Sequence, residues 1–150
     1  MEQTIENKIN TAFIVKKIHF ENLGLKGSFQ IKPQYSVSFK KLSDTSWETE
    51  MGVEIKNTTD NPFPLNIEVT MSLVSTFSNV DFQVFDLSLY LKQTSLQMLF
   101  PYIRSSITNI CNSALIMPIY LPVIDVNKIV RDIKIDDLDK LIKEVNVNGK

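Results

Sequence analysis

The chain has 150 residues, 43% hydrophobic and 22% charged, the size and mix of one globular domain rather than of a disordered chain. Its 16 basic and 17 acidic side chains leave a net charge of −1, so it offers no basic excess for pairing with nucleic-acid phosphates. Cys111 is the sole cysteine, which excludes an internal disulfide and fits a reducing compartment.

Met1 to Asn10 is polar and lacks the apolar stretch of a signal peptide. The most apolar window, Ala114 to Ile124, is interrupted by Pro118 and Pro122 and falls short of the roughly 20 residues a membrane-spanning helix needs. The expectation is a soluble, cytoplasmic single domain over residues 1–150, with 1–10 and 146–150 flexible.

Four segments then alternate with period two. In Ala12 to Phe20, Phe13 and Val15 fall on one side and Ile14, Ile18 and Phe20 on the other. In Tyr35 to Lys41, Tyr35, Val37 and Phe39 oppose Ser36, Ser38 and Lys40. In Trp47 to Lys56, Trp47, Thr49, Met51, Val53 and Ile55 alternate with Glu48, Glu50, Gly52, Glu54 and Lys56. In Leu65 to Phe77, Leu65, Ile67, Val69, Met71 and Leu73 alternate with Asn66, Glu68, Thr70 and Ser72. Such alternation predicts strands with one face on a core and one in water, the habit of antiparallel sheets. Short polar joints at 42–46 and 57–62 make the last three strands a meander. A longer loop through Gly24, Gly27 and Pro33 joins the first strand to the second.

The period changes after residue 94. Leu96, Leu99, Phe100, Ile103, Ile107, Ile110, Cys111 and Ala114 are spaced by threes and fours, which predicts an amphipathic helix over 94–115, about 33 Å long. Thr94 and Gln97 read as a capping box, and Pro101 falls in the second turn, where it bends the helix or opens its regular part. The opposite face carries Ser105, Ser106, Thr108, Asn109, Asn112 and Ser113 and no charge after Arg104; it suits a subunit contact or an exposed face equally well. Ile116 to Val123 is extended and apolar, set by its prolines. Asp125 opens a second helix with Val126, Ile129, Val130 and Ile133 on one face, and a further turn follows from Asp136.

Signals for catalysis are weak. His19 stands alone in a strand, Cys111 sits on the helix's apolar stripe, and no Cys or His spacing suits a metal. The four glycines form no phosphate loop or dinucleotide fingerprint. These residues predict no enzyme, no cofactor and no metal, although a small enzyme or ligand carrier with an apolar pocket stays open. Apolar side chains such as Met117, Ile119, Tyr120 and Leu121 exceed what one sheet and two helices bury, which suggests a groove or an interface between chains.

The run Leu99-Phe100-Pro101-Tyr102-Ile103-Arg104-Ser105-Ser106-Ile107, opening a helix after a sheet, resembles the signature of the SecB protein-export chaperones. The likeness continues through Pro118, Leu121-Pro122-Val123 and Asp125-Val126, includes Phe13 to Phe20, and covers the order of elements over residues 11–133. It implies an α+β fold: a four-stranded antiparallel sheet, a long helix, an extended crossover and a second C-terminal helix. It implies a homotetramer built as a dimer of dimers, with Ser105, Ser106, Asn109 and Asn112 in the interface. It also implies an ATP-independent holdase that keeps unfolded polypeptides export-competent in apolar grooves. Carried onto this chain, the client contacts are Ile31, Val74, Phe77, Ile116, Met117, Tyr120 and Leu121, while Phe100, Pro101, Tyr102 and Arg104 serve the fold. The family docks on the SecA export motor through acidic residues on the outer sheet. Here the first-strand acidic positions fall near Asn22 and Lys26, and the acidic candidates are Glu48, Glu50, Glu54 and Glu68. The alternative is a SecB-like adaptor or chaperone for a dedicated partner, such as an antitoxin, without SecA docking.

Overall fold

A computed structural model describes residues 8–25, 29–60, 62–121 and 128–129. Strands β1 (Lys8–Asn22), β2 (Gln34–Ser43), β3 (Ser46–Ile55) and β4 (Leu65–Ser78) form one antiparallel sheet in the order β1-β4-β3-β2. The meander of β2, β3 and β4 follows the alternation of their side chains. β1 closes onto the far side of β4, so β1 and β2 are the two edges. Lys8, Ile9 and Asn10, expected to be flexible, pair with Ser78, Phe77 and Thr76. The joint between β2 and β3 is a tight turn at Asp44 and Thr45, braced by a 2.7 Å hydrogen bond between the Ser43 and Ser46 hydroxyls.

The first strand departs from simple alternation. Val15 stands opposite Met71 and Lys17 opposite Thr70, so Lys16 is an extra residue, a β-bulge. Before the bulge Phe13 and Val15 face the same side as Leu73 and Met71; after it Ile18 and Phe20 face the same side as Val69 and Ile67. All four therefore share the inner face, where a strict period of two had divided them.

The helical layer also begins earlier than expected. α1 (Leu87–Leu89) runs through a wide π-helical turn (Tyr90–Thr94) into α2 (Ser95–Ser113), with helical backbone at both joins. The start is Asp86, whose carboxylate accepts from the Leu89 N–H at 3.0 Å. Thr94 makes no side-chain capping bond because its backbone is already helical, so the capping box at 94–97 is not used. Pro101 consequently lies in the helix interior, where its missing N–H leaves the Gln97 carbonyl without the usual donor. The second helix expected from Asp125 and the turn from Asp136 lie outside the described residues. Lys128 and Ile129 are helical, and Ile129 packs against the core.

The core forms where the inner residues of β3 and β4 meet the stripe of α2. Met51, Val53, Ile55, Ile67, Val69 and Leu73 lie against Leu96, Leu99, Ile103, Ile107 and Cys111, all buried. Removal from water of each such aliphatic side chain stabilises the fold by about 1.5–3 kcal/mol. A second cluster of Trp47, Phe77, Leu87, Tyr90 and Leu91 fills one end of the sheet, with Phe82 packed edge-on and Phe85 tilted against Phe77. Buried hydroxyls tie the sheet to the start of the helix. Thr49 donates to Ser95 at 3.0 Å, Ser95 donates in turn to the Leu91 carbonyl, and Ser75 and Tyr90 share a 2.8 Å bond. The wide turn aligns these bonds by adding a residue that keeps Tyr90, Leu91, Ser95 and Leu96 all turned inward.

Ser95→Ala leaves the buried Thr49 hydroxyl without its acceptor, at an expected cost of about 1–3 kcal/mol in urea unfolding. Adding Thr49→Val removes the orphan and recovers part of that loss; an additive double variant would contradict the coupling. Burial pushes the Tyr90 phenol above its usual value, with the Ser75 hydroxyl pulling the other way, and burial raises Tyr35 against the opposing charge of Arg104. The folded chain thus holds these protons more tightly than the unfolded one. Their contribution is complete below the unfolded value of about 10 and is lost as the pH rises through the folded values. Urea midpoints above pH ~10 are therefore expected to fall less steeply in the Tyr35→Phe/Tyr90→Phe variant than in the parent.

Candidate functional site

The C-terminal end of α2 sets the path of the crossover. The Ala114 N–H reaches the Ile110 carbonyl, the Leu115 N–H that of Asn112, and the Ile116 N–H that of Cys111 at 3.1 Å. Leu115 has φ +59°. This is a Schellman end with leucine where glycine is usual, and it turns the chain back along the helix. Pro118 then holds the segment extended. Two side chains of α2 fasten it: Thr108 Oγ1 donates to the Ile119 carbonyl at 2.9 Å, and Arg104 Nε to the Leu121 carbonyl at 3.1 Å. The Arg104 guanidinium lies 5.8 Å from the centre of the Phe100 ring, which packs in turn on Tyr35.

The result is a strap with two different sides. Ile119 and Leu121 are buried in the core, while Leu115, Met117 and Tyr120 are 93%, 87% and 70% exposed. Between strap and helix runs an open groove of about 370 Å³, lined by Pro101, Arg104, Ser105, Thr108, Asn109 and Tyr120. On the other flank of α2 a shallower groove of about 450 Å³ separates it from β1, lined by Ile18, Phe20, Ser106, Asn109, Ile110 and Ser113. Along β1 the inner side chains Val15 and Ile18 are each 54% exposed, and Phe13 rests on Tyr102 with ring centres 4.6 Å apart.

The structure does not gather all seven client residues expected from the sequence. Met117 and Tyr120 project from the strap, Ile116 is half-buried, and Ile31 is exposed on the connection between β1 and β2. Leu121 is a core residue. Phe77 is buried among Phe82, Phe85 and Tyr90, and Val74 lies on the opposite, outer face of the sheet beside Ala12 and Glu48. Phe77, Leu121 and Val74 thus offer a bound chain no shared surface in this protomer, because strand register divides the first and last and burial removes the other. Ser105, Asn109 and Asn112 are exposed on the outer side of α2, and Ser106 is half-buried beside β1.

Glu48, Glu50, Glu54 and Glu68 do share the outer face, with Glu54 directly opposite Glu68. They are not bare. The bulge brings Lys16 to 3.4 Å from Glu48 and Lys17 to 3.0 Å from Glu68, Lys56 pairs with Glu54 at 2.9 Å, and Ser38 donates to Glu50 at 3.3 Å. The Glu54 carboxylate raises the pKa of the Lys56 ammonium. The pairs are partly exposed, so solvent screens them and each contributes little to stability. Even so, they replace a carboxylate patch by one of mixed charge. The lysine doublet inside an apolar alternation was the signal for the bulge. The terminal aromatic cluster had its signal in Phe82 and Phe85, which follow β4 closely. His19 is exposed on β1 opposite Glu68, Cys111 is buried, and no group of metal-binding side chains occurs among the described residues.

A β1-β4-β3-β2 sheet backed by one long helix and a returning strap is the fold of the SecB-like chaperones. A SecB-like chaperone of Mycobacterium tuberculosis, solved in complex with a ChAD peptide from the HigA1 antitoxin, superposes with a TM-score of 0.61 at 10% identity, covering 79% of this chain and 91% of that one. A protein of unknown function from Streptococcus agalactiae matches with a TM-score of 0.40 at 9% identity, covering 79% and 99%. The family model for the preprotein translocase subunit SecB matches residues 2–134, and the chain belongs to the SecB family, which consists of chaperones rather than enzymes. The search of curated proteins returned no match. None of the described helices is long and apolar enough to cross a membrane.

Thr108→Val keeps the shape of its side chain and removes one strap fastening. Limited chymotrypsin cleavage after Tyr120 is expected to speed up about fivefold, the worth of one hydrogen bond. An unchanged rate would mean that packing of Ile119 and Leu121 alone holds the strap.

Proposed function

We propose that this SecB-family chaperone is an ATP-independent holdase that receives unfolded polypeptides on the strap and the groove beside it and keeps them export-competent in the cytoplasm. The observation that carries the reading is the two-sided strap: the inner side chains are locked into the core while Leu115, Met117 and Tyr120 stand in solvent. The groove beneath them is lined by the hydroxyl and amide groups of Ser105, Thr108 and Asn109 and by Arg104, Pro101 and Tyr120, so it offers both hydrogen-bonding groups for a backbone and apolar contacts for side chains. A client burying about 1,000 Å² of apolar area would gain about 25 kcal/mol. Ordering a flexible chain offsets most of that gain. Only a chain already unfolded exposes such a length.

The working form is a homotetramer, a dimer of dimers. β1 is a long free edge whose Val15 and Ile18 lie half in water beside an uncharged helix face bearing Ser105, Asn109 and Asn112. An exposed apolar edge of this kind calls for a covering surface, and a second copy supplies one.

A second reading, service to one dedicated partner such as an antitoxin without SecA docking, is favoured by the lysines that neutralise Glu48, Glu54 and Glu68. The M. tuberculosis neighbour with its bound antitoxin peptide agrees with this reading. The two readings separate on clients. A general holdase suppresses light scattering by several unrelated chemically unfolded proteins, and Met117→Ser/Tyr120→Ser weakens that suppression without lowering the melting temperature. Suppression for none of them would refute the general holdase. SecA binding that weakens as salt rises would restore the acidic docking face.

A further inference from the structure

The groove beside the strap also carries a charge preference, an inference that rests on the holdase reading and deepens it. From Ser95 to Leu121, across α2 and the strap, Arg104 is the sole charged residue. It is half-buried and lines the groove. Its Nε is engaged by the Leu121 carbonyl, and its guanidinium carbon lies 5.8 Å from the centre of the Phe100 ring. The two Nη groups carry the other N–H donors of the fork. Among the described residues the ion pairs all belong to lysines, and no carboxylate partners Arg104. Glu48, Glu50, Glu54 and Glu68 stand on the outer face of the sheet, across from α2. Asp86 caps α1, several turns before Arg104.

A half-buried guanidinium is stable while water reaches it. A client lying over the groove removes that water, and an unpaired charge then costs free energy. Peptide carbonyls of the client can accept its N–H bonds but cannot neutralise its charge. A carboxylate does both, meeting the planar fork through two parallel hydrogen bonds. We infer that the groove favours extended client segments that carry one acidic side chain among apolar residues, with the acid seated on Arg104. Groove residues lie on both sides of Arg104 along α2, Pro101 about one turn before it and Thr108 and Asn109 about one turn after. A client therefore passes over Arg104 rather than ending on it, and the acid belongs within the segment. In an extended segment the residues two places to either side of the acid face the same way, and apolar side chains there meet Pro101 and Tyr120. A second acid finds no second cation in the groove, and a lysine at the same place is repelled. The preference is thus for a single carboxylate in an apolar setting, not for acidic chains at large.

The test titrates the full-length protein into labelled synthetic peptides and reads fluorescence anisotropy. The peptides share one apolar sequence, are acetylated and amidated, and carry aspartate, asparagine or lysine at the centre. At low salt the aspartate peptide is expected to bind about fivefold more tightly than the asparagine peptide, and the lysine peptide more weakly than either. The advantage is expected to shrink as salt rises. Arg104 itself is left intact because it fastens the strap. Asn109→Asp instead places a carboxylate in the same groove, keeps both strap fastenings, and is expected to erase the preference for aspartate. Equal binding of the three peptides, or a preference that survives Asn109→Asp, would overturn the seat on Arg104 and leave the holdase reading standing. An asparagine peptide with a free C-terminal carboxylate that matches the aspartate peptide would overturn the internal acid in favour of a chain end. Binding of none of the peptides would overturn both the charge preference and the holdase reading.

Discussion

The buried contact between the stripe of α2 and the inner faces of β3 and β4 is the constraint on which the rest depends. Leu99, Ile103, Ile107 and Cys111 are wholly buried there against Met51, Val53, Val69 and Leu73. Rigid seating of the helix fixes Arg104 and Thr108 one turn apart on its flank, and those two side chains place the strap. The same contact explains what is left uncovered. One helix spans about 10 Å of width, roughly two strands at 4.8 Å spacing. It therefore shields the middle of the sheet and leaves the inner side of β1 partly in water.

The chaperone reading follows from this division of apolar surface. A globular domain ordinarily folds its apolar residues inward, and the exceptions carry meaning when they are continuous. Here the exceptions lie on two flanks of one helix. On one flank is a strand edge whose bulge turns Phe13, Val15, Ile18 and Phe20 to the same face. On the other is a strap whose alternate residues are locked in and whose remaining residues face outward. The first suits a second copy of the chain, which has a matching edge. The second is a short strap with Leu115, Met117 and Tyr120 standing in solvent, and suits a transient guest.

Much of the fold could be read in the residues. The meander of β2 to β4 and the stripe of α2 follow from strict periods in Trp47 to Ile55, Leu65 to Leu73 and Leu96 to Cys111, because burial on one face imposes those periods. The alternation of β1 fails at its midpoint because a bulge breaks the period without changing the composition. The helical layer starts earlier than the apolar stripe predicts because Asp86 caps it and a π-helical turn shifts the phase between Leu91 and Ser95. The site was less legible. Met117 and Tyr120 could be named because a short proline-bounded segment cannot bury every apolar side chain. Phe77 and Leu121 could not be told from them, since an apolar residue reads the same whether it faces a core or a guest. The lysines that neutralise the acidic face come from β1 and from the end of β3, and only the three-dimensional register brings Lys16 across to Glu48.

The central claim is that unfolded chains lie along the outward side of the strap. Its most direct test places a photoreactive benzoylphenylalanine at position 117, and for comparison at position 70 on the outer sheet face, in the presence of an unfolded client. The account predicts strong cross-linking to the client from position 117 and little from position 70. Cross-linking confined to position 70, or equal from both positions, would contradict it.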